Sequence, residues 1–264
     1  EAFQELAALE DLVQTEGACS LPGVSIDFNL FVSVMMRAVT RGYVRHEHAD
    51  FVAEGLRYGF DLGVDVSKMR GKRLYRNYPT ALEARAAVTK AVRARVRLQK
   101  TYKLFPFAEG DKYLIPYDDW RVFPMGAVPK PMEPGEMRPY SDHTKTGMKA
   151  ATDLDFFRHT LTALEDIARF LKYMYYMRVS DVDTAFPLLP IRPRLWRYFL
   201  FRWYDVDGQG VDFRNAGGDL PHLADGNLHD DVQWLYVHVC GDFGTAALPG
   251  TFKIFFSDVT MGMA

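Results

Sequence analysis

Apolar residues recur at helical spacing along the first sixty positions and then give way to short, proline-broken runs. Over 1–13, Phe3, Leu6, Leu9 and Leu12 or Val13 fall on one side of a helix. The stretch from Gly17 to Gly23 interrupts that pattern. Asp27 is placed to cap a second helix over 28–40, because its carboxylate can accept an otherwise unpaired amide of the first turn. A third helix is expected over 46–58, followed by Gly59 in the left-handed position that often ends a helix. Residues 63–79 read as a basic, irregular connection. Thr80-Ala-Leu-Glu83 has the spacing of a capping box and predicts a helix running to about Thr101.

Seven prolines between 104 and 140 forbid long helices there and predict short strands and turns. Phe157, Leu161, Leu164, Ala168 and Leu171 form the apolar stripe of an amphipathic helix over 154–171. Strands are expected at 173–181, 196–204 and 233–239, with a long polar loop of glycines and aspartates over 205–231. A helix over 247–261 closes the pattern after a turn at Gly244. Helix, strand, strand, loop, strand, helix is the order of a split β-α-β unit of the ferredoxin-like plan, so the expected class is α+β. The sheet is expected to form from 156–264 with helices on one face, and with Asp181 at the end of a central strand.

At 264 residues and 48% hydrophobic, the chain can bury a substantial core. Two cysteines, Cys19 and Cys240, exclude a disulfide scaffold and fit a reducing compartment, cytoplasmic or nuclear. No apolar run is long enough to span a bilayer, and no membrane partner is expected. Charge alters the picture more. Residues 66–103 hold twelve Lys and Arg against the single acid Glu83, whereas the rest carries 20 basic and 33 acidic residues. Arg93, Arg97 and Lys100 would share one helical face and could track a phosphate backbone together. The competing reading is a solvated helix face, or cations paired with the acidic remainder of the chain.

Four blocks in a fixed order carry the candidate chemistry. Phe123-Pro-Met-Gly-Ala-Val-Pro-Lys130 is followed by Arg138-Pro-Tyr-Ser-Asp142, then Asp181-Val-Asp-Thr-Ala-Phe186, then Phe243-Gly-Thr-Ala-Ala-Leu-Pro249. This series resembles the reverse transcriptase domain of retrotransposons, and most closely the DIRS-like elements that carry a tyrosine recombinase. The resemblance is firm over 104–264 and loose over 25–103. It implies right-hand polymerase-like fingers and a partial palm at 104–264, behind a helical N-terminal extension at 1–103.

By the same resemblance, Asp181 is the catalytic carboxylate and a Mg²⁺ ligand, with Asp183 a neighbour pointing elsewhere. Lys130 and Arg138 grip the incoming deoxynucleoside triphosphate, Arg by two parallel bonds and Lys as a point charge. Phe186 floors the sugar pocket and clashes with a 2′-hydroxyl, although a plain core phenylalanine is the competing reading. Phe243 packs against the nucleotide, Gly244 allows close backbone approach, and Asp142 is a strut. The partners implied are an RNA template and a DNA primer.

The family's aromatic-x-Asp-Asp hairpin does not occur between the last block and Ala264. Tyr117-Asp118-Asp119 and His229-Asp230-Asp231 stand in the wrong order to replace it, and His222, Asp225 and His229 form at most a loop ion site. The chain therefore reads as a fragment or a degenerate copy of an RNA-directed DNA polymerase. One alternative is an inactive, decayed or domesticated nucleic-acid-binding protein; another is an interaction module in which the motifs are ancestry alone. One carboxylate cannot hold two mutually repelling Mg²⁺ ions. The chain alone is thus expected to incorporate no nucleotide on a primed RNA template, and incorporation abolished by Asp181→Ala would overturn that expectation.

Overall fold

The computed structural model describes residues 2–24, 26–131, 133–157, 185–206, 233–260 and 263. The chain begins with α1 (Ala2–Thr15), α2 (Phe28–Thr40) and α3 (His46–Tyr58). Asp27 caps α2 as its position predicts, its carboxylate accepting the Leu30 amide at 2.9 Å. Gly59 does carry a positive φ of 82°, but its ψ of 148° leads the chain out extended and not left-handed helical. The reason is a close crossing: a Cβ at Gly59 would overlap the backbone of Arg192.

The basic connection contributes the strand β1 (Lys72–Leu74). Next come α4 (Pro79–Glu83) and α5 (Arg85–Arg97), separated by a break at Ala84. The expected capping box does not form. Pro79 takes the first helical position, where its missing amide costs nothing, and Tyr78 precedes it as the cap residue. The Thr80 hydroxyl instead accepts the Ala127 amide at 3.3 Å. Nor does the helix reach Thr101: α5 ends at Arg97, and Gln99 turns the chain with a φ of 54° into β2 (Thr101–Pro106).

Short strands follow, as the prolines require: β3 (Trp120–Phe123), β4 (Met125–Pro129) and β5 (Met137–Ser141). Three short helices and two strands complete the described chain. These are α6 (Met148–Ala151), α7 (Pro193–Trp196), β6 (Leu200–Trp203), β7 (Trp234–His238) and α8 (Leu248–Phe252). A π-helix, Lys253–Thr260, continues from α8. The strand expected over 196–204 starts only at Leu200, because Pro193 opens a helical turn through Trp196. Residues 154–157 form a turn, and the rest of the helix expected over 154–171 lies outside the described residues, as do the strand at 173–181 and most of the polar loop.

The architecture is mixed α+β. One sheet has the order β1-β3-β6-β7-β2, parallel from β1 through β6 and antiparallel from β6 to β2, while β4 and β5 form a separate hairpin. Its strands therefore come from 72–74 and 101–106 as well as from the later chain, and β2 crosses the expected boundary at 103. The sheet is covered on both faces, which corrects the one-sided expectation. Trp120, Val122, Leu200, Leu235 and Val237 join the core built by the N-terminal helices. Phe123, Phe201, Trp203 and Tyr236 alternate to the opposite side and pack with Ala81, Val88 and Val92 of α4 and α5. A bulge at Leu104 resets β2 so that Phe105 pairs with Leu235.

The hairpin is pinned to this sheet by Asn77, whose amide nitrogen donates to the Arg202 carbonyl and whose oxygen accepts the Met125 amide, both at 2.9 Å. Because the Asp27 side chain satisfies one of the first-turn amides of α2, Asp27→Ala is expected to lower stability by about 1 kcal/mol. Urea unfolding at constant m-value measures it.

Candidate functional site

Three of the sequence blocks meet at one corner of the sheet. Ser141, at the end of β5, donates its amide to the Phe243 carbonyl at 2.8 Å. Gly244 then passes so close that a Cβ would overlap the Ser141 carbonyl oxygen, and its φ of 117° is one that L side chains rarely adopt. Arg138 extends from the exposed side of β5 over the Phe243 ring, its guanidinium carbon 5.5 Å from the ring centre. Phe186 opens a 3₁₀ turn (Phe186–Leu188), and its ring lies 5.0 Å from that of Phe243 at an interplanar angle of 67°. Phe243 itself stays 49% exposed, a large aromatic face left available between a cation and a second ring.

Beside this cluster lies a cavity of about 370 Å³ between α5, the β4–β5 hairpin and the turn after β7. Its wall includes the cations Arg95, Lys100, Lys130 and Arg138, the carboxylate Asp242 and the Phe243 ring, with apolar side chains between them. The surface these residues show to the cavity is almost wholly apolar, so the lining suits the apolar or aromatic portion of a ligand. Lys130 stands at the hairpin end, paired with Glu133 at 2.9 Å. Asp142 acts as a strut: it accepts the Tyr78 hydroxyl at 2.6 Å and the Lys145 amide at 2.8 Å. That bond to Asp142, followed by burial, pushes the Tyr78 hydroxyl up to about 12.

The sequence reading missed a buried polar chain under the cavity. Arg95 donates to the Cys240 and Gly241 carbonyls at 3.2 and 2.9 Å, and its Nε donates to the Thr101 hydroxyl at 3.2 Å. Thr101 is 2.6 Å from His238 Nδ1. The consistent assignment has Thr101 accept from Arg95 and donate to Nδ1, leaving His238 Nε2–H aimed at Asp242, 3.7 Å away. His143 Nε2 lies 3.2 Å from the same carboxylate, and the Thr245 hydroxyl donates to it at 2.9 Å. Burial raises the Asp242 carboxyl, but His143, His238 and Arg95 together outweigh burial and hold it below the usual carboxylate range. Burial also pushes the Cys240 thiol up to about 11. No local periodicity signals this cluster, because His143 and Asp242 are 99 positions apart.

The remaining candidates divide clearly. Asp181 and Asp183 lie outside the described residues, as do His222, Asp225 and His229. The Mg²⁺ implied by the resemblance rests on Asp181, and among the described residues no group of three or more His, Cys, Asp or Glu could hold a metal ion. Asp119 accepts the Gly71 amide, a structural use for one member of the pair at 118–119.

Arg93, Arg97 and Lys100 do not share an exposed face, which corrects the expectation of a phosphate-tracking helix. Arg93 donates to the Val206 carbonyl at 2.8 Å, and Lys100 lies past the helix end, 5% exposed on the cavity wall. Of the three, Arg97 alone is exposed. Other cations of the segment also turn inward or pair: Arg85 covers the Tyr204 ring at 3.7 Å, and Lys103 meets Asp205 at 3.1 Å.

No protein-family model matches the chain, and no curated protein matches it in sequence. Among the described residues no helix is long and apolar enough to cross a membrane.

Burial first, and then the Arg95 charge, hold the His238 imidazole well below 6.5, against the pull of Asp242. The unfolded chain binds a proton near 6.5 that the folded chain refuses. This contribution to stability is therefore present above that pH and is lost as the pH falls below it, by at most about 1.4 kcal/mol per pH unit. His238→Gln should flatten the fall of the melting temperature between about pH 7.5 and 5. Parallel curves for variant and wild type would assign the acid sensitivity to other groups.

Proposed function

We propose that this chain forms reverse transcriptase-like fingers and part of a palm, and that its cavity receives a deoxynucleoside triphosphate. One observation carries the reading. Residues 138, 186 and 243 are far apart in sequence and are grouped only by the resemblance, yet the Arg138 guanidinium and the Phe186 ring both lie within contact distance of the Phe243 ring, and Arg138 and Phe243 border the cavity. Arg138 supplies a planar, permanently charged fork for phosphate oxygens. The exposed face of Phe243 packs against sugar or base, while Gly244, whose missing side chain makes room for the Ser141 backbone, holds the turn that presents that ring. Phe186 buttresses Phe243 edge-on, and by the resemblance it would limit the room around a 2′ substituent. Asp181 would supply the carboxylate for Mg²⁺, the ion that stabilises charge on the transferring phosphate when bound. An RNA template and DNA primer are the implied partners.

A second reading, nucleic-acid binding without chemistry, is favoured by a different observation. Lys72 and Arg73 stand exposed on the edge strand β1, next to exposed Arg70. These exposed cations suit contact with a phosphate backbone.

Arg138 is exposed, so Arg138→Ala should leave the fold intact while weakening binding of a fluorescent deoxynucleoside triphosphate by about tenfold or more, the scale of a lost charge-assisted pair. Equilibrium titration of both proteins measures it. Equal affinities, or no binding by the wild type, would overturn the nucleotide reading. Salt-dependent binding to RNA by the same wild-type protein would then favour the second.

A further inference from the structure

Asp242 is 2% exposed, at the edge of the cavity wall. A buried carboxylate is costly unless several donors surround it. Here the donors come from three separate parts of the chain. Thr245, three residues on, closes the carboxylate over the intervening Phe243 and Gly244 at 2.9 Å. His143 reaches it at 3.2 Å from the segment that follows β5, and His238 lies 3.7 Å away at the end of β7. Phe243 and Gly244 sit between the two ends of the Asp242–Thr245 bond, and the Phe243 carbonyl is held by Ser141 at 2.8 Å.

Two features restrict direct contact with the group. Asp242, His143, His238 and Thr245 are all between 1% and 4% exposed. The imidazole rings are also walled by Phe123, Phe199 and Phe201 at centroid distances of 4.5 to 5.7 Å. Asp242 and His238 border the cavity with almost no exposed surface, so their effect on it passes through what they hold.

We propose that Asp242 is a positioning residue: its carboxylate, gripped by Thr245 and His143, fixes the Phe243–Gly244 turn against β5 and so sets the distance between the Phe243 ring and Arg138. The positioning role stands on this geometry alone. Its effect on nucleotide affinity rests on the nucleotide reading proposed above.

The test places 4-fluorophenylalanine at position 243 of the whole chain and follows its ¹⁹F resonance in wild type, Asp242→Asn and Thr245→Val. Asp242→Asn keeps the size and removes the charge; Thr245→Val removes only the hydroxyl donor. Val52→Ala, which thins the distant core under α3, serves as a control for general destabilisation. Both site variants are expected to move the 243 resonance toward its position in the denatured chain, whereas Val52→Ala leaves it in place. Affinity for a deoxynucleoside triphosphate should fall about tenfold in Asp242→Asn, measured well below its melting temperature.

A resonance shifted in both site variants, together with no nucleotide binding by the wild type, would keep the positioning role and remove the nucleotide reading. An unchanged resonance in folded Asp242→Asn, or an equal shift in Val52→Ala, would overturn the positioning role. If Asp242→Asn fails to fold, Thr245→Val decides by the same criteria.

Discussion

A sheet buried on both faces allows few polar side chains and leaves no backbone group unpaired, and that constraint orders the rest of this molecule. β3 and β6 run parallel at its centre with Trp120 and Val122 toward one core and Phe123, Phe201 and Trp203 toward the other. Each core then demands its own helical cover. α1, α3 and the final helices serve the first, and α4 and α5 the second. The hairpin β4–β5 is left at the margin, held by Asn77 and by the Phe243 turn, so that a cavity opens where helix, hairpin and turn fail to close.

Beneath the cavity, polar groups enter this interior as a connected set. Arg95, Thr101, His238, Asp242, His143 and Thr245 form one chain of donors and acceptors, and the charges of Arg95 and Asp242 oppose each other across it. Such a set adds specificity more than net stability, because removing any single member strands its neighbours in a low-dielectric interior. His143 Nδ1 has no hydrogen-bond partner among the described residues, which makes His143 the loosest member of the chain.

What could be read from the sequence was local. The three N-terminal helices and the Asp27 cap follow from periodicity within a dozen residues, and so do the strands near 200 and 236. The end of α5 was not legible, because Gln99 takes a positive φ that its identity does not announce. Neither was the sheet order, since β1, β3 and β6 pair in parallel across long intervals, with no hairpin turn to fix which strands meet. At the site, Arg138, Phe186, Phe243 and Gly244 were legible as motif members. Their neighbours Arg95, His143, His238 and Asp242 acquire meaning only once distant segments are folded together. Charge counting misled over Lys100, because a cation near a helix end can be drawn inward by a cavity wall as readily as it can face water.

The edge strand β1 has a consequence for how copies of this chain meet one another. An uncovered strand edge is a template on which an identical molecule can add its own strand, and nothing among the described residues lies beyond β1 in the sheet. Lys72 and Arg73, with Arg70 just before them, make that addition self-defeating, because two such edges laid side by side would press like charges together. The same cations that repel a twin favour something of opposite sign along that edge.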